Sequence, residues 1–308
     1  MALVVIRPGM LTTIQDLGRW GRQDSGVPVA GPMDAYSHRL ANWLIGNQDH
    51  AAALEVTLIG PELEASEADV TCVLAGARFD ATVDGRDIDA SRPFVIAAGK
   101  RLRFGTRRRG ARATLAVSGG IVCPPILGSR STSVVSRMGP LGGRPLAAGD
   151  ILPVGPPVSK APPSSGRGLV MPDGGARVRC IAGPHDAMFT REALEALFTS
   201  RFIVTPQSNR MGYRLDGSAL RHSGSADILS DATPVGSIQV PASGQPILLM
   251  ADRQTTGGYP KIATVITADV PLAGQLAPGD WIEFVECTRA EAVDALRRQE
   301  AALAGDAV

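Results

Sequence analysis

Short apolar runs recur along the chain, each about as long as a β-strand and each bounded by turn-forming residues. "TCVLAG" from Thr71, "PFVIAAG" from Pro93, "TLAVSGG" from Thr114, "RFIVT" from Arg201, "PILLMA" from Pro246 and "ATVITA" from Ala263 share this form. Apolar runs of this length, closed by Gly, Pro or Ser, predict strands. Their repetition predicts a mainly β protein made of barrels or sandwiches. Three stretches switch to helical spacing. "MDAYSHRLANWLIGN" puts Tyr36, Leu40, Trp43 and Leu44 on one face, with Asp34 placed to cap its start and Gly46 near its stop. "TREALEALF" from Thr190 repeats the pattern with Leu194, Leu197 and Phe198. "TRAEAVDALRRQEAALAG" opens with Thr288 and Glu291 at capping-box spacing and ends at Gly305.

The pattern also echoes itself. "VTCVLAG" at Val70 resembles "VRCIAG" at Val178, and "LAAGDILPV" at Leu146 resembles "LAPGDWIEF" at Leu276. Two weak matches in the same order predict two related β modules. Between them runs "VGPPVSKAPPSSGRG", Val154 to Gly168, whose Pro, Gly and Ser content marks a linker. The expected division is an N-terminal module over 1–155, a linker over 156–169, and a C-terminal module with a terminal helix over 170–308.

Composition narrows the function more than the fold. A chain of 308 residues that is 44% apolar can bury two ordinary cores. With 31 basic and 30 acidic residues the net charge is +1, which steers the protein neither to nucleic acid nor to anionic membrane. The cluster "RFGTRRRGAR", Arg103 to Arg112, reads as a solvated hairpin tip. Cys72, Cys123, Cys180 and Cys287 lie far apart without a CxxC pair, and Cys72 and Cys180 sit in apolar runs as small hydrophobes. No leader and no membrane-length apolar run is evident, so a cytoplasmic protein with reduced thiols is expected.

Candidate chemistry concentrates in three polar, glycine-rich segments: Thr12 to Asp34, "PQSNRMGYRLDG" from Pro206, and "ADRQTTGGYPKIATV" from Ala251. Asp16, Arg19, Asn209, Arg210, Asp252, Gln254 and Lys261 supply the donors and acceptors that would hold a small amide-bearing substrate. Several positions have a bland alternative: Asp16 as a turn brace, Asp34 as a helix cap alone, Arg210 as a tie between loops, and Tyr259 as packing. Lys261 is the hardest to dismiss, because an ammonium entering an apolar strand is costly to desolvate unless it has a partner or a task. His38, His50, His185 and His222 are scattered without metal-ligand spacing, so no metal is expected. No GxxxxGK[ST] loop and no GxSxG elbow is present.

The three segments, together with "LAVSGGI", "PPILGSRST" and "GSIQVPASGQPILLMADRQTTGGYPKIATV", resemble the KipA-like family: the C subunits of 5-oxoprolinase, also called allophanate hydrolase subunit 2, similar to part of the carboxyltransferase domain of urea carboxylase. The resemblance runs from Thr12 to Val265. It implies two cyclophilin-like β-barrel modules. It also implies a KipI-like partner (the B-type chain of 5-oxoprolinase, or allophanate hydrolase subunit 1), with a third subunit in the 5-oxoprolinase assembly. The implied activity is ATP-dependent opening of 5-oxoproline to L-glutamate, with ATP held with or by a partner. The alternatives are carboxyl transfer from carboxybiotin to a urea-like substrate, with biotin carried on another chain, or a regulatory protein that antagonises a kinase inhibitor. In the amide-opening reading, Lys261 and Arg210 stabilise charge on oxygen. Gln254 and Asn209 orient the amide, and Asp252 or Tyr259 transfers the proton. Thr255, Gly257, Gly258, Asp16 and Arg19 complete the expected substrate site.

Overall fold

The computed structural model describes residues 1–158 and 168–304, so most of the expected linker, and Gly305, lie outside the described residues. The backbone divides into two units. The first comprises Met1–Arg19, Ala30–Met171 and Ala301–Val308, and the second Trp20–Val29 and Pro172–Glu300. The early segment Trp20–Val29 therefore belongs with the second unit.

The first unit is a curled nine-stranded sheet. Its strands are β1 (Ala2–Arg7), β2 (Leu11–Gln15), β3 (Ala53–Thr57), β4 (Glu62–Ala65), β5 (Val70–Val83), β6 (Arg86–Asp87), β7 (Phe94–Ile96), β8 (Arg101–Val117) and β9 (Ile151–Pro153). They run in the order β2-β3-β8-β4-β1-β9, with β5 on β8 and β6 and β7 on β5. The long pair β5–β8 slips register three times between Gly76 and Ala81. Such bulges bend a sheet and sharpen its twist. The curl closes on a core of Leu3, Leu54, Leu63, Leu74, Leu102 and Leu115, each buried. Arg103–Arg112 is not a hairpin tip. It lies within β8, where Arg108 forks onto Asp80 of β5 and Arg103 bonds Glu62 of β4. Arg103, Arg107, Arg108 and Arg109 are exposed there, cross-strand acids pair with Arg103 and Arg108, and Arg112 is buried.

The second unit contains a closed barrel. Its strands are β10 (Gly175–Ala182), β11 (Phe202–Val204), β12 (Gly212–Asp216), β13 (Asp231–Ala232), β14 (Ser237–Gln239), β15 (Ile247–Leu249), β16 (Thr256–Gly257), β17 (Lys261–Val265) and β18 (Trp281–Glu286). Seven of them close in the order β10-β17-β14-β15-β12-β11-β18, and the parallel pair β10–β18 makes the seam. β13 and β16 form a separate ribbon. All six apolar runs singled out in the sequence fall on strands.

The sequence echo is repeated in hydrogen bonds. Gly149 and Gly279 both take left-handed φ, +87° and +93°. In each turn the following aspartate caps the amide three residues back, Asp150 on Ala147 (2.7 Å) and Asp280 on Ala277 (2.9 Å). Each turn is then clamped to a strand by a reciprocal pair, Val5 N–H to Asp150 O with Gly149 N–H to Val5 O, and Val204 N–H to Asp280 O with Gly279 N–H to Val204 O. The two modules share a construction that few identical residues reveal.

The helices form where their caps predict. Asp34 accepts from Ser37 N–H at 2.8 Å to start Ala35–Leu44, and Thr190 accepts from Ala193 N–H to start Arg191–Thr199. Thr288 and Glu291 exchange bonds to start Arg289–Ala304. None of the described helices is long and apolar enough to cross a membrane. Cys72 and Cys180 are buried and unpaired, with burial pushing the Cys180 thiol up to about 12.

Candidate functional site

The third polar segment connects β15 to β17. Since β14 stands between those strands in the barrel, the connection must pass β14. Several ties hold it there. Arg253, buried, donates through Nε to Thr233 O at 2.7 Å, and Thr233 returns its amide to Thr255 O and its hydroxyl to Gln254 O. β16 pairs Gly257 with Asp231 and Thr256 with Ala232. A side chain at Gly257 would displace the Gln239 amide, because a Cβ there would lie 2.7 Å from Gln239 Nε2. The absent methyl lets the chain lie against the Gln239 amide, which donates to Tyr259 O at 3.3 Å and accepts from Gln254 Nε2 at 3.3 Å.

These groups border a cavity of about 390 Å³ whose polar lining includes Asn209, Arg214, Gln239, Gln254 and Tyr259. The volume suits a small ligand. Asn209 Oδ1 accepts from Met211 N–H at 2.8 Å, which turns its NH₂ away from that turn as a donor. Gln239 is almost fully buried, whereas Tyr259 is 41% exposed. Asn209, Gln254 and Tyr259 thus line one cavity, and Gly257 and Gly258 lie on the strap between Gln254 and Tyr259. Thr255 contributes to a neighbouring cavity of about 280 Å³, with Trp20, Val29 and Pro234, and Gln254 lines both.

Lys261, Arg210 and Asp252 do not line the amide-rich cavity. Arg210 Nε and Nη2 reach the two oxygens of Asp252 at 3.0 Å each, and both side chains are buried. This corrects the expected role of Asp252. Paired through both oxygens, buried and outside the cavity lining, Asp252 faces no substrate proton, so the pair is a clamp. It also retires Arg210 as an uncommitted cation. Lys261, with a side chain 2% exposed, bonds Asp231 Oδ2 at 2.7 Å and Ala232 O at 3.0 Å. Its backbone N–H points to His185 Nδ1 at 3.3 Å, and its register partner on β14 is Gln239. Hydrogen bonding from Lys261, then from the Ala232 amide, holds the Asp231 carboxyl below the ordinary carboxylate range. An ammonium has three donors, so one N–H of Lys261 has no bond among the described residues.

Asp16 and Arg19 belong to the first unit and form a network there, another correction to the expected site. Asp16 is buried, which works to raise its pKa. Bonds from the Arg130 amide, the Ser129 and Ser131 hydroxyls and the Gly18 amide outweigh that and leave it lowered. Arg19 donates to Ser131 O at 2.6 Å and Ile126 O at 3.3 Å. Both residues therefore brace the "GSRST" turn. Beside them His38 is buried, its Nε2 3.2 Å from Asn42 Nδ2. Burial holds the imidazole at about 4 against an ordinary 6.5, although Asp16 pulls the other way. As pH falls, the unfolded chain takes up this proton first, so the stability His38 contributes is full above pH 6.5 and is lost as pH falls through about 4. Unfolding free energies measured across that window should decline with a slope of about one proton. His38→Gln should flatten it, and an unchanged slope in the variant would assign the effect elsewhere.

The sequence reading passed over Gln239, Asp231 and Thr233, and set His185 aside as one of the scattered histidines. Gln239 had a visible signal, an amide inside the otherwise apolar run "SIQV". Asp231 and His185 become relevant only through pairings across the fold.

Residues 25–286 match the family described as carboxyltransferase domain, subdomain A and B. The chain is 41% identical over 298 residues to the C subunit of 5-oxoprolinase from Escherichia coli (strain K12), covering 97% of this chain and 95% of that one. It is 35% identical over 288 residues to the C subunit of 5-oxoprolinase from Haemophilus influenzae, covering 94% and 92%. The crystal structure of the K. lactis urea amidolyase superposes with a TM-score of 0.93 at 30% identity, over 99% of this chain and 20% of that chain.

Proposed function

The chain belongs to the carboxyltransferase-domain family, subdomains A and B, alongside the C subunits of 5-oxoprolinase, and from that premise we propose that it is the C-type member of an ATP-dependent complex that opens a cyclic amide. The substrate is 5-oxoproline and the product L-glutamate. A KipI-like chain is the partner, and a third subunit joins them to complete the assembly in the cytoplasm. The observation that carries the reading is the cavity edged by Asn209, Gln239 and Gln254. Primary amides offer a carbonyl and an NH₂ side by side, the complement of a substrate N–C=O.

In this reading Gln254, Gln239 and Asn209 orient the amide. Tyr259, whose side chain is exposed at the cavity, moves the proton in place of Asp252. Lys261 does not line the cavity and acts at one remove, opposite Gln239 in the β14–β17 register, where its charge favours negative charge developing on the carbonyl oxygen. The chain carries no GxxxxGK[ST] sequence, so the nucleotide is held with or by a partner. The likeness to urea amidolyase favours a second reading, carboxyl transfer to a urea-like substrate from biotin carried on another chain.

Reconstitution separates the two. The chain mixed with its partner subunits should release glutamate from 5-oxoproline only when ATP and this chain are both present. Carboxylation of urea with no action on 5-oxoproline would move the assignment to the second reading. Partner binding with no turnover of 5-oxoproline, urea or allophanate would leave a regulatory protein and overturn both.

A further inference from the structure

A second, larger cleft lies in the first unit. Its volume is about 600 Å³, and its polar lining is Asn47, Gln48, His50 and Arg130, beside the Gly119–Gly120 turn. We propose that this cleft binds an oxyanion, a carboxylate or phosphate, on the Arg130 guanidinium.

Arg130 is positioned from two directions. Its backbone amide donates to Asp16 Oδ2 at 2.6 Å, and its Nε donates to Cys123 O at 2.8 Å. The two terminal nitrogens have no hydrogen bond or ion pair among the described residues. A guanidinium fixed at its base, with its fork open, matches the geometry of bidentate carboxylate or phosphate recognition. No acid lines the cleft among the described residues. Asp49, between Gln48 and His50 in the chain, is turned onto Arg39 at 2.9 Å. The Gln48 side-chain amide and the His50 ring likewise carry no bond among the described residues, which leaves further donors facing an anion.

The far wall is rigid. Asn47 donates to Asn42 Oδ1 and Val117 O and accepts from the Gly119 amide. Gly119 is at φ +86°, where an added Cβ would strike Pro156 O. A preorganised wall facing an uncompensated cation lowers the ordering cost of binding. This also gives the Asp16–Ser129–Ser131 network a purpose, since it holds the turn that presents Arg130.

The test is titration of the full chain with inorganic phosphate and, separately, with acetate, followed by calorimetry and by the NMR signal of the arginine Nε–H groups. Saturable binding of either anion is expected. It should weaken about tenfold or more in Arg130→Gln, the scale of a lost charge-assisted bond. The glutamine keeps the backbone bond to Asp16 and an NH₂ toward Cys123 O, so the melting temperature should hold. Arg130→Lys, with the charge but not the fork, should bind at an intermediate level and serves if the glutamine variant is unstable. Phosphate binding alone identifies a phosphoryl-bearing ligand, and acetate binding alone a carboxylate. No saturable binding of either anion, or equal binding in Arg130→Gln, overturns the site.

Discussion

Replacing Asp252 by alanine is expected to cost the second unit about 3–5 kcal/mol, the scale for breaking a buried pair from one side. Arg210 would keep its charge in a site where its side chain is 6% exposed and that of Asp252 only 1%. The backbone bond from the Asp252 amide to Arg210 O, 2.8 Å, survives the substitution, so the loss isolates the side-chain pair. Denaturant unfolding of the full chain measures it. The paired substitution Arg210→Met with Asp252→Leu should recover much of the loss, because two apolar groups need no counter-ion. A cost below about 1 kcal/mol for Asp252→Ala, the range of exposed pairs, would mean that solvent reaches the clamp and that Asp252 is again open to a role in proton transfer.

The physical basis of that pair also shows what could be read beforehand. Strands, helix caps and the Gly–Asp turns were legible because their causes are local: apolar runs set by the pleat, an Asp or Thr one residue before a helix, a glycine where φ is positive. The grouping of Asn209, Gln254 and Tyr259 was legible because each sits in a segment with glycine turns and no core pattern. The roles of Arg210 and Asp252 were not, since 42 positions separate them and either side chain alone looks like a substrate ligand. Asp16 misled for the same reason, its partners Ser129 and Ser131 lying more than a hundred residues away. The basic stretch of β8 looked like a tip because composition reports charge and not the bulged register that carries it.

Lys261→Met should show the opposite profile to Asp252→Ala: a large loss of turnover with little loss of stability. Methionine fills much of the space of the lysine stem and removes a buried charge. The partner left behind, Asp231, has a side chain 53% exposed, so water can hydrate it, unlike Arg210. No strong folding penalty follows. In the reconstituted complex, the loss of this charge behind Gln239 is expected to lower kcat by about tenfold to a hundredfold, the upper end being the scale for a direct donor, with a smaller change in KM because the amides of Asn209, Gln239 and Gln254 still hold the substrate. Asp231→Asn separates a catalytic from a merely structural lysine. It keeps the hydrogen bond, removes the counter-charge, and should shift the pH profile of turnover rather than abolish it. If Lys261→Met keeps both its melting temperature and its rate of glutamate release, the ammonium is a buried tie to β13 and the charge-stabilising role belongs to another group.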